Sequence, residues 1–485
     1  MSLSGSLSSA LSGLQVNARM AEIIATNVAN KVTPGYGRRE LQMVARCVGG
    51  SGQGVQATAV LRVTDRDLAS DRRSAEADAA GKTARSDFLA AMEAAIGAPT
   101  DSVSLGGRIA ALDASLLAAA SRPDSQSRLG EVLAAANGLA AHIGHASRTL
   151  QEQRENADGA IARDVGKLNA TLAGIERMNG QIRSQVAAGH DASALMDQRQ
   201  QLVDELAAIV PIREVLRDNE EIALVSTGGA VLLDGKAARF GFTEAGIVTP
   251  DMSLASGALS GLTMNGRPVD MVGASGLLSG GTLAASFGIR DVEAPQLQAQ
   301  LDAVARDLMS RFSDPALDAT LRSGAPGLFT DADASFDPAN EVGLAARLVV
   351  NAAADPAKGG ALWRLRDGLG ASEPGVVGES ALLTAMQHAL VAPRSPVSGQ
   401  FMPGGRSFSL LAADLLSGVS TNRLSSDEGA SFASAKSDAL REQELGLGVD
   451  TDQQMQQLLL VEQAYAANAK VITSVDEMLQ ILLGI

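Results

Sequence analysis

The residue patterns in this chain that imitate chemistry each lack a member on which that chemistry depends. Gly81-Lys82-Thr83 matches the end of a phosphate-binding loop, but the loop's first glycine would stand at position 76, where Glu76 would repel a phosphate. Asp331, Asp333 and Ser335 have the spacing of a calcium loop, yet Phe336 takes the place of its sharp-turn glycine and Val342 that of its bidentate glutamate. His142 and His145 can share a helix face, but no carboxylate or thiolate is spaced to complete a zinc site with them, and His190 and His388 add none. Neither a G-x-S-x-G elbow nor an H-E-x-x-H helix occurs. Asp476-Glu477 falls on an amphipathic helical pattern, where paired carboxylates face solvent. A single cysteine, Cys47, leaves no partner for an intrachain disulfide or a multi-cysteine metal site. The expectation is a protein with no catalytic residues, no cofactor and no metal: not an enzyme.

The elements that these residues sit on point to a structural role. The 485 residues carry 40 basic and 55 acidic side chains, a net charge of −15, which argues against a nucleic-acid partner. Aromatic residues make up only 3% of the chain, so its cores must be built from Ala, Leu, Val and Ile, the palette of long packed helices. No charge precedes Arg19 and no unbroken apolar stretch follows the start, so a cleavable secretory signal is not expected. The uncharged run around 271–289 is interrupted by five glycines and reads as strands and turns rather than a membrane span.

Both ends of the chain show heptad seams. Leu7, Leu11, Leu14, Ala18, Ala21, Ala25 and Val28 alternate steps of four and three up to Pro34-Gly35. Leu458, Val461, Tyr465, Ile472, Val475, Leu479 and Leu482 do the same at the other end, interrupted by Asn468. If the two helices pair antiparallel, one end of the pair is uncharged and apolar, a stripe that calls for further copies or other proteins around it. Between the seams, 38–63 reads as a hairpin, 65–207 as mostly helix, 212–289 as β-rich, Val292 to Phe312 as helix, and Phe408 to Leu445 as a last long helix.

The fold class expected is mainly α with β-rich insertions, an elongated multidomain chain whose terminal helices pair as a coiled coil. Its units are 1–64 pairing with 448–485, then 65–312 completed by 406–447, and a smaller variable outer domain over 313–405.

Several stretches carry a resemblance. Asn27, Asn30, Thr33, Pro34, Gly35 and Tyr36 resemble the signature that closes the first helix of bacterial flagellar axial proteins, the rod, hook and hook-associated components. The continuation to Arg38 is most similar to the hook-associated branch, and Leu195 to Leu202, with Asp197 and Arg199, is similar to a helix preceding that branch's β region. Gly448-Val449-Asp450, Gln463-Ala464-Tyr465 and Glu477-Met478-Leu479 resemble its closing helix. Gly37 departs from the usual Ser, and Gln453-Gln454 stand where acidic residues are common. The resemblance implies a structural adaptor at the hook–filament junction, exported by the flagellar type III apparatus. Its partners would be further copies in a ring, the hook protein, a second junction protein and an export chaperone at the C-terminal helix. A hook or rod component, or a secreted protein with an enzymatic middle domain, remains the alternative.

Overall fold

Long helices with small or apolar faces dominate the computed structural model, which describes residues 3–48, 51–271 and 276–484. Helix α1 (Leu3–Ala29) is followed by a hairpin of β1 (Arg38–Val48) and β2 (Ser51–Val63), paired antiparallel with two register shifts. Helices α2 (Arg66–Ile96), α3 (Leu105–Ser121) and α4 (Gln126–Ala187) each begin with a side-chain cap, Asp65, Ser104 and Ser125 accepting a backbone N–H of the first turn. After α5 (Ser193–Ala207) the chain forms a meander of β3 (Ile212–Leu216), β4 (Ile222–Ser226), β5 (Val231–Asp234) and β6 (Lys236–Ala237). A second small sheet holds β7 (Phe240–Gly241), β8 (Leu262–Met264) and β9 (Arg267–Val269), the last two joined by an Asn265-Gly266 turn with both residues at positive φ.

Residues 281–289 do not form the strands expected of a glycine-rich run. Gly281–Gly288 is helix α6, continued by a π-helical turn, Ile289–Glu293, into α7 (Ala294–Phe312). Its glycines serve close packing: a Cβ on Gly81 of α2 would lie 2.9 Å from the Gly281 carbonyl oxygen. The rest comprises β10 (Phe329–Asp331), α8 (Leu344–Arg347), β11 (Leu348–Val350), α9 (Arg364–Asp367), α10 (Ala381–Val391), α11 (Phe408–Leu447) and α12 (Thr451–Leu483).

Two apolar cores result. The first joins the second half of α2, α3, the Leu129 to Ala157 part of α4, α7, α10 and the start of α11. It also takes in Leu328, Phe329, Leu344, Leu348, Leu365 and Leu383. The stretch expected as a separate outer domain, 313–405, therefore shares the core of the helical body, because its scattered apolar residues have no core of their own to fill. The second core packs Ile161 to Ile175 of α4 against α5, the two sheets and α6. Helix α4, with 62 residues and a length of roughly 90 Å, runs through both.

Where the cores meet, α4 carries charge instead of apolar side chains. Arg290, fully buried in the π-helical turn, donates to Asp158 at 2.6 Å, to both Asp291 oxygens at 2.8 and 2.9 Å and to the Ser260 carbonyl at 2.9 Å, with the Phe242 and Phe287 rings against it. Arg154 donates to the carbonyls of Arg290, Thr249 and Met252, and to Gln151. A polar track continues from Gln151 through Gln298 to Asp302 of α7, which accepts the N–H groups of Gly343 and Ala345 at 2.8 Å each.

Two stability measurements test this arrangement. Asp158→Ala removes one of the two carboxylates that pair with the buried Arg290, leaving Asp291, and is expected to cost about 1–3 kcal/mol in urea unfolding. Burial lifts the Asp302 carboxyl to about 6, against the pull of the two N–H donors. The folded chain thus holds this proton more tightly than the unfolded chain does. Its stabilisation is complete below about pH 4 and is lost as pH rises through 6, about 3 kcal/mol for a two-unit shift. Asp302→Asn is expected to lack this fall between pH 4 and pH 7.

Candidate assembly site at the foot of the terminal helices

The first and last helices pair antiparallel with a fixed register. Lys31 reaches Thr451, the Asn27 amide donates to Gln454 at 3.0 Å, and a Cβ on Gly13 would fall 2.7 Å from the Asn468 side chain. The residues of α1 buried between α12 and the hairpin are Ala10, Gly13, Val16, Ile23, Ile24 and Asn27, of which Gly13 and Asn27 meet Asn468 and Gln454 of α12. This differs from the heptad line read from the sequence. Leu7, Leu11, Ala18 and Ala25 are exposed, while Leu14, Ala21 and Val28 are half-buried. The physical reason is close packing: helices approach nearest where side chains are small, so Gly13 admits Asn468 of α12 while Leu7 and Leu11 stay exposed. On α12, Val461 and Val475 are buried and Leu458 and Ile472 half-buried, whereas Tyr465, Leu479 and Leu482 are exposed. Leu459, Leu460, Met478 and Ile481 extend that outward apolar face.

At the foot of the pair, Asn27 satisfies all of its side-chain capacity. Its oxygen accepts the Tyr36 hydroxyl at 2.7 Å and the Arg39 N–H at 2.9 Å, and its amide donates to the Arg39 carbonyl at 2.9 Å and to Gln454. One side chain thereby ties α1 to the loop, the hairpin and α12. Burial raises the Tyr36 hydroxyl pKa, partly opposed by the Arg39 guanidinium, which lies 5.1 Å from the ring centroid. Asn30 accepts the Thr33 hydroxyl and donates to the Thr26 carbonyl, closing the helix end, and Gly35 takes the positive φ that the turn out of it requires.

Asp197 of α5 forms the second node. Its carboxylate accepts the Gly37 N–H at 3.0 Å, Arg62 at 2.8 Å and Arg39 at 3.1 Å, and Gln201, one turn on, donates to the Pro34 carbonyl at 2.7 Å. Arg39 and Arg62 stand directly opposite one another on β1 and β2, a like-charge pair that needs an anion between them. Arg38, on the other face of β1, pairs with Glu40 instead, and Arg199 points elsewhere: it binds Asn179 and the Glu220 carbonyl, its pKa lowered to about 10 by burial. From the sequence Asp197 stands out within the 195–202 stretch that also holds Gln201, and Gln454 as a departure from the usual acid, but neither Arg39 nor Arg62 is singled out. Strand alternation next to Arg38 was the signal available for Arg39; the cross-strand partner Arg62 needs the register.

The residues weighed for chemistry have ordinary structural work. Gly81 lies inside α2, His142 bonds the Ile96 carbonyl at 2.9 Å at the end of α2, Asp331 pairs with Arg347, and Cys47 is exposed. Among the described residues no cluster could hold a metal ion, and no helix is long and apolar enough to cross a membrane.

Residues 89–327, from α2 through α7, match the model of the flagellar hook-associated protein FlgK helical domain, and residues 446–485, which include α12, match the flagellar basal body rod FlgEFG protein C-terminal model. Two separate parts of the chain are thus similar to domains of flagellar axial proteins. The chain is 26% identical over 244 residues to flagellar hook-associated protein 1 of Salmonella typhimurium, covering 49% of this chain and 44% of that relative, so the match spans less than half of that protein. With the Bacillus subtilis protein of the same name it shares 23% identity over 94% of this chain and 93% of the relative. The solved flagellar hook junction protein FlgK from Burkholderia pseudomallei aligns with 54% of this chain and 46% of its own, at 19% identity and a TM-score of 0.45.

In this chain the two departures from the usual signature fit the geometry. A Cβ at Gly37 would fall 2.6 Å from the Arg62 side chain, so glycine there leaves Arg62 room to reach Asp197. Gln454, in place of an acid, both accepts from Asn27 and stays neutral while buried. Asn27→Ala leaves the Tyr36 hydroxyl, the Arg39 backbone and Gln454 without this partner. It is expected to cost the terminal pair about 2–4 kcal/mol, read as faster amide exchange in α1 and α12 with exchange in α3 and α4 unchanged.

Proposed function

We propose that this chain is a non-enzymatic structural adaptor of the bacterial flagellum, assembling at the hook–filament junction so that the filament can be built onto the hook. The observation that carries the reading is the outward apolar face left by the terminal helix pair: Leu7 and Leu11 on α1, and Leu459, Leu460, Tyr465, Met478, Ile481 and Leu482 on α12. Facing water, such a stripe is costly; against neighbouring copies its burial contributes about 25 cal/mol per Å² of apolar area. The heptad residues that do not face the chain's own partner helix serve this contact. The ring of copies, the hook protein below and a second junction protein beyond are the partners of this reading, with a chaperone shielding α12 before type III export to the cell exterior. The names of the relatives support it.

Deleting the gene is expected to leave hooks without filaments and unpolymerised flagellin in the medium, with filaments restored by the full chain supplied in trans. Normal filaments on the deleted strain would overturn the junction reading, and loss of the hooks themselves would place the chain among the rod or hook components.

A further inference from the structure

We propose that two polar contacts, Asn27 with Gln454 and Gly13 with Asn468, set the rotational phase of α1 and so hold its leucine heptad outward. Burial alone does not choose that phase, because α1 carries apolar side chains on both faces. Val16, Ile23 and Ile24 are buried on one side, Leu7 and Leu11 are exposed on the other, and no charge precedes Arg19. A turn of about 100° about the helix axis, one residue's worth, would exchange the two faces at unchanged height. Leu7, Leu14, Ala21 and Val28 would then meet Val475, Asn468, Val461 and Gln454, the pairing that the heptads alone would select. The hydrophobic effect is non-directional, so it discriminates little between two apolar stripes.

The polar side chains do discriminate. In the turned phase Leu14 would press on the Asn468 amide and Val28 on Gln454, which is 1% exposed and would lose its partner on α1. Asn27 would leave the Tyr36 hydroxyl, both backbone groups of Arg39 and Gln454, and the Ser12 hydroxyl would leave the Val55 N–H that it accepts at 3.1 Å. Buried groups stranded in this way are costly, whereas in the observed phase those of Asn27 are all met. Gly13 completes the selection: with no Cβ, it opens the hole that takes the Asn468 side chain, whose amide donates to the Ala464 carbonyl of its own helix at 3.0 Å. The two contacts stand two heptads apart on both helices, so one phase satisfies them together. A polar residue in a heptad seam gives up stability for specificity, and here it specifies which stripe of α1 stays free.

The use of the outward heptad for neighbouring copies rests on the assembly reading, but the phase belongs to the isolated full chain, so the two can fail separately. In a Cys47→Ser background, the single substitutions Leu11→Cys and Val16→Cys report the phase by their rates of maleimide labelling, the first position being 51% exposed and the second 6%. Leu11→Cys is expected to react about tenfold faster than Val16→Cys. Gln454→Leu with Asn468→Leu, which leaves α1 untouched and makes the α12 seam apolar, is expected to reverse that order. Gly13→Ala, which crowds Asn468, is expected to narrow the ratio about threefold, and it carries the test should the double variant not fold. An unchanged ratio in these variants would overturn the proposal, and so would equal, fast labelling at both positions, which reports a detached helix instead of a turned one. A background chain in which Val16→Cys reacts as fast as Leu11→Cys would overturn the phase itself.

Discussion

One helix has to serve two cores. Helix α4 lends its first half to a helical body and its second half to a sheet-based body, and both must agree on its position along roughly 90 Å. The switch occurs within a few residues, between Ala157 and Ile161, where Asp158 and the nearby Arg154 replace apolar side chains. Buried charge at that place is expensive unless paired, and the π-helical turn supplies the pairing by aiming Arg290 inward. The extra residue of such a turn shifts the phase of the helix that follows, which lets α6 face the second core and α7 the first. The connection between the bodies is thereby specific in angle as well as in place.

The terminal unit is attached by different physics. Within the body, α2 and α11 run antiparallel with charged rungs along their contact, Arg72 to Glu444 and Glu76 to Arg441 at one end, Ser86 to Asp427 and Glu93 to Arg423 at the other. Between body and terminal unit, hydrogen bonds among the described residues centre on Asp197 and Gln201. Small residues decide the rest: Gly13 lets Asn468 against α1, Gly37 lets Arg62 pass, and Gly81 lets α6 cross α2. With so few aromatic side chains, shape is made here by what is left out of a position as much as by what fills it.

Much of this was legible in the sequence because it is periodic. The heptads announced two terminal helices, the three-and-four spacing from Ile161 to Ile182 marked the buried face of α4, and turn dipeptides separated the strands from 222 to 264. The face on which the terminal helices meet was not legible, since leucines mark hydrophobicity whereas close approach is marked by Gly13. Residues 313–405 misled for a related reason: without a period of their own, their apolar residues gave no sign that they belong to the core of distant helices. Of the site, Asn27, Tyr36 and Asp197 stood out by motif, but Arg62 and Gln454 are defined only by register, 35 and 427 positions away from Asn27.

The pairing of α2 with α11 also shortens the distance over which the two ends of the chain must meet. Joining the first helix to the last directly would close a loop of more than 400 residues, with a correspondingly long search. Once the body has folded, however, the start of α2 and the end of α11 are already side by side, and only the short crossings at 64–65 and 448–450 separate them from the hairpin and from α12. The longest-range contact in the chain then becomes a local one. Helix α1 packs locally on the hairpin, and its contact with α12 is brought within reach by the body that holds the two crossings together.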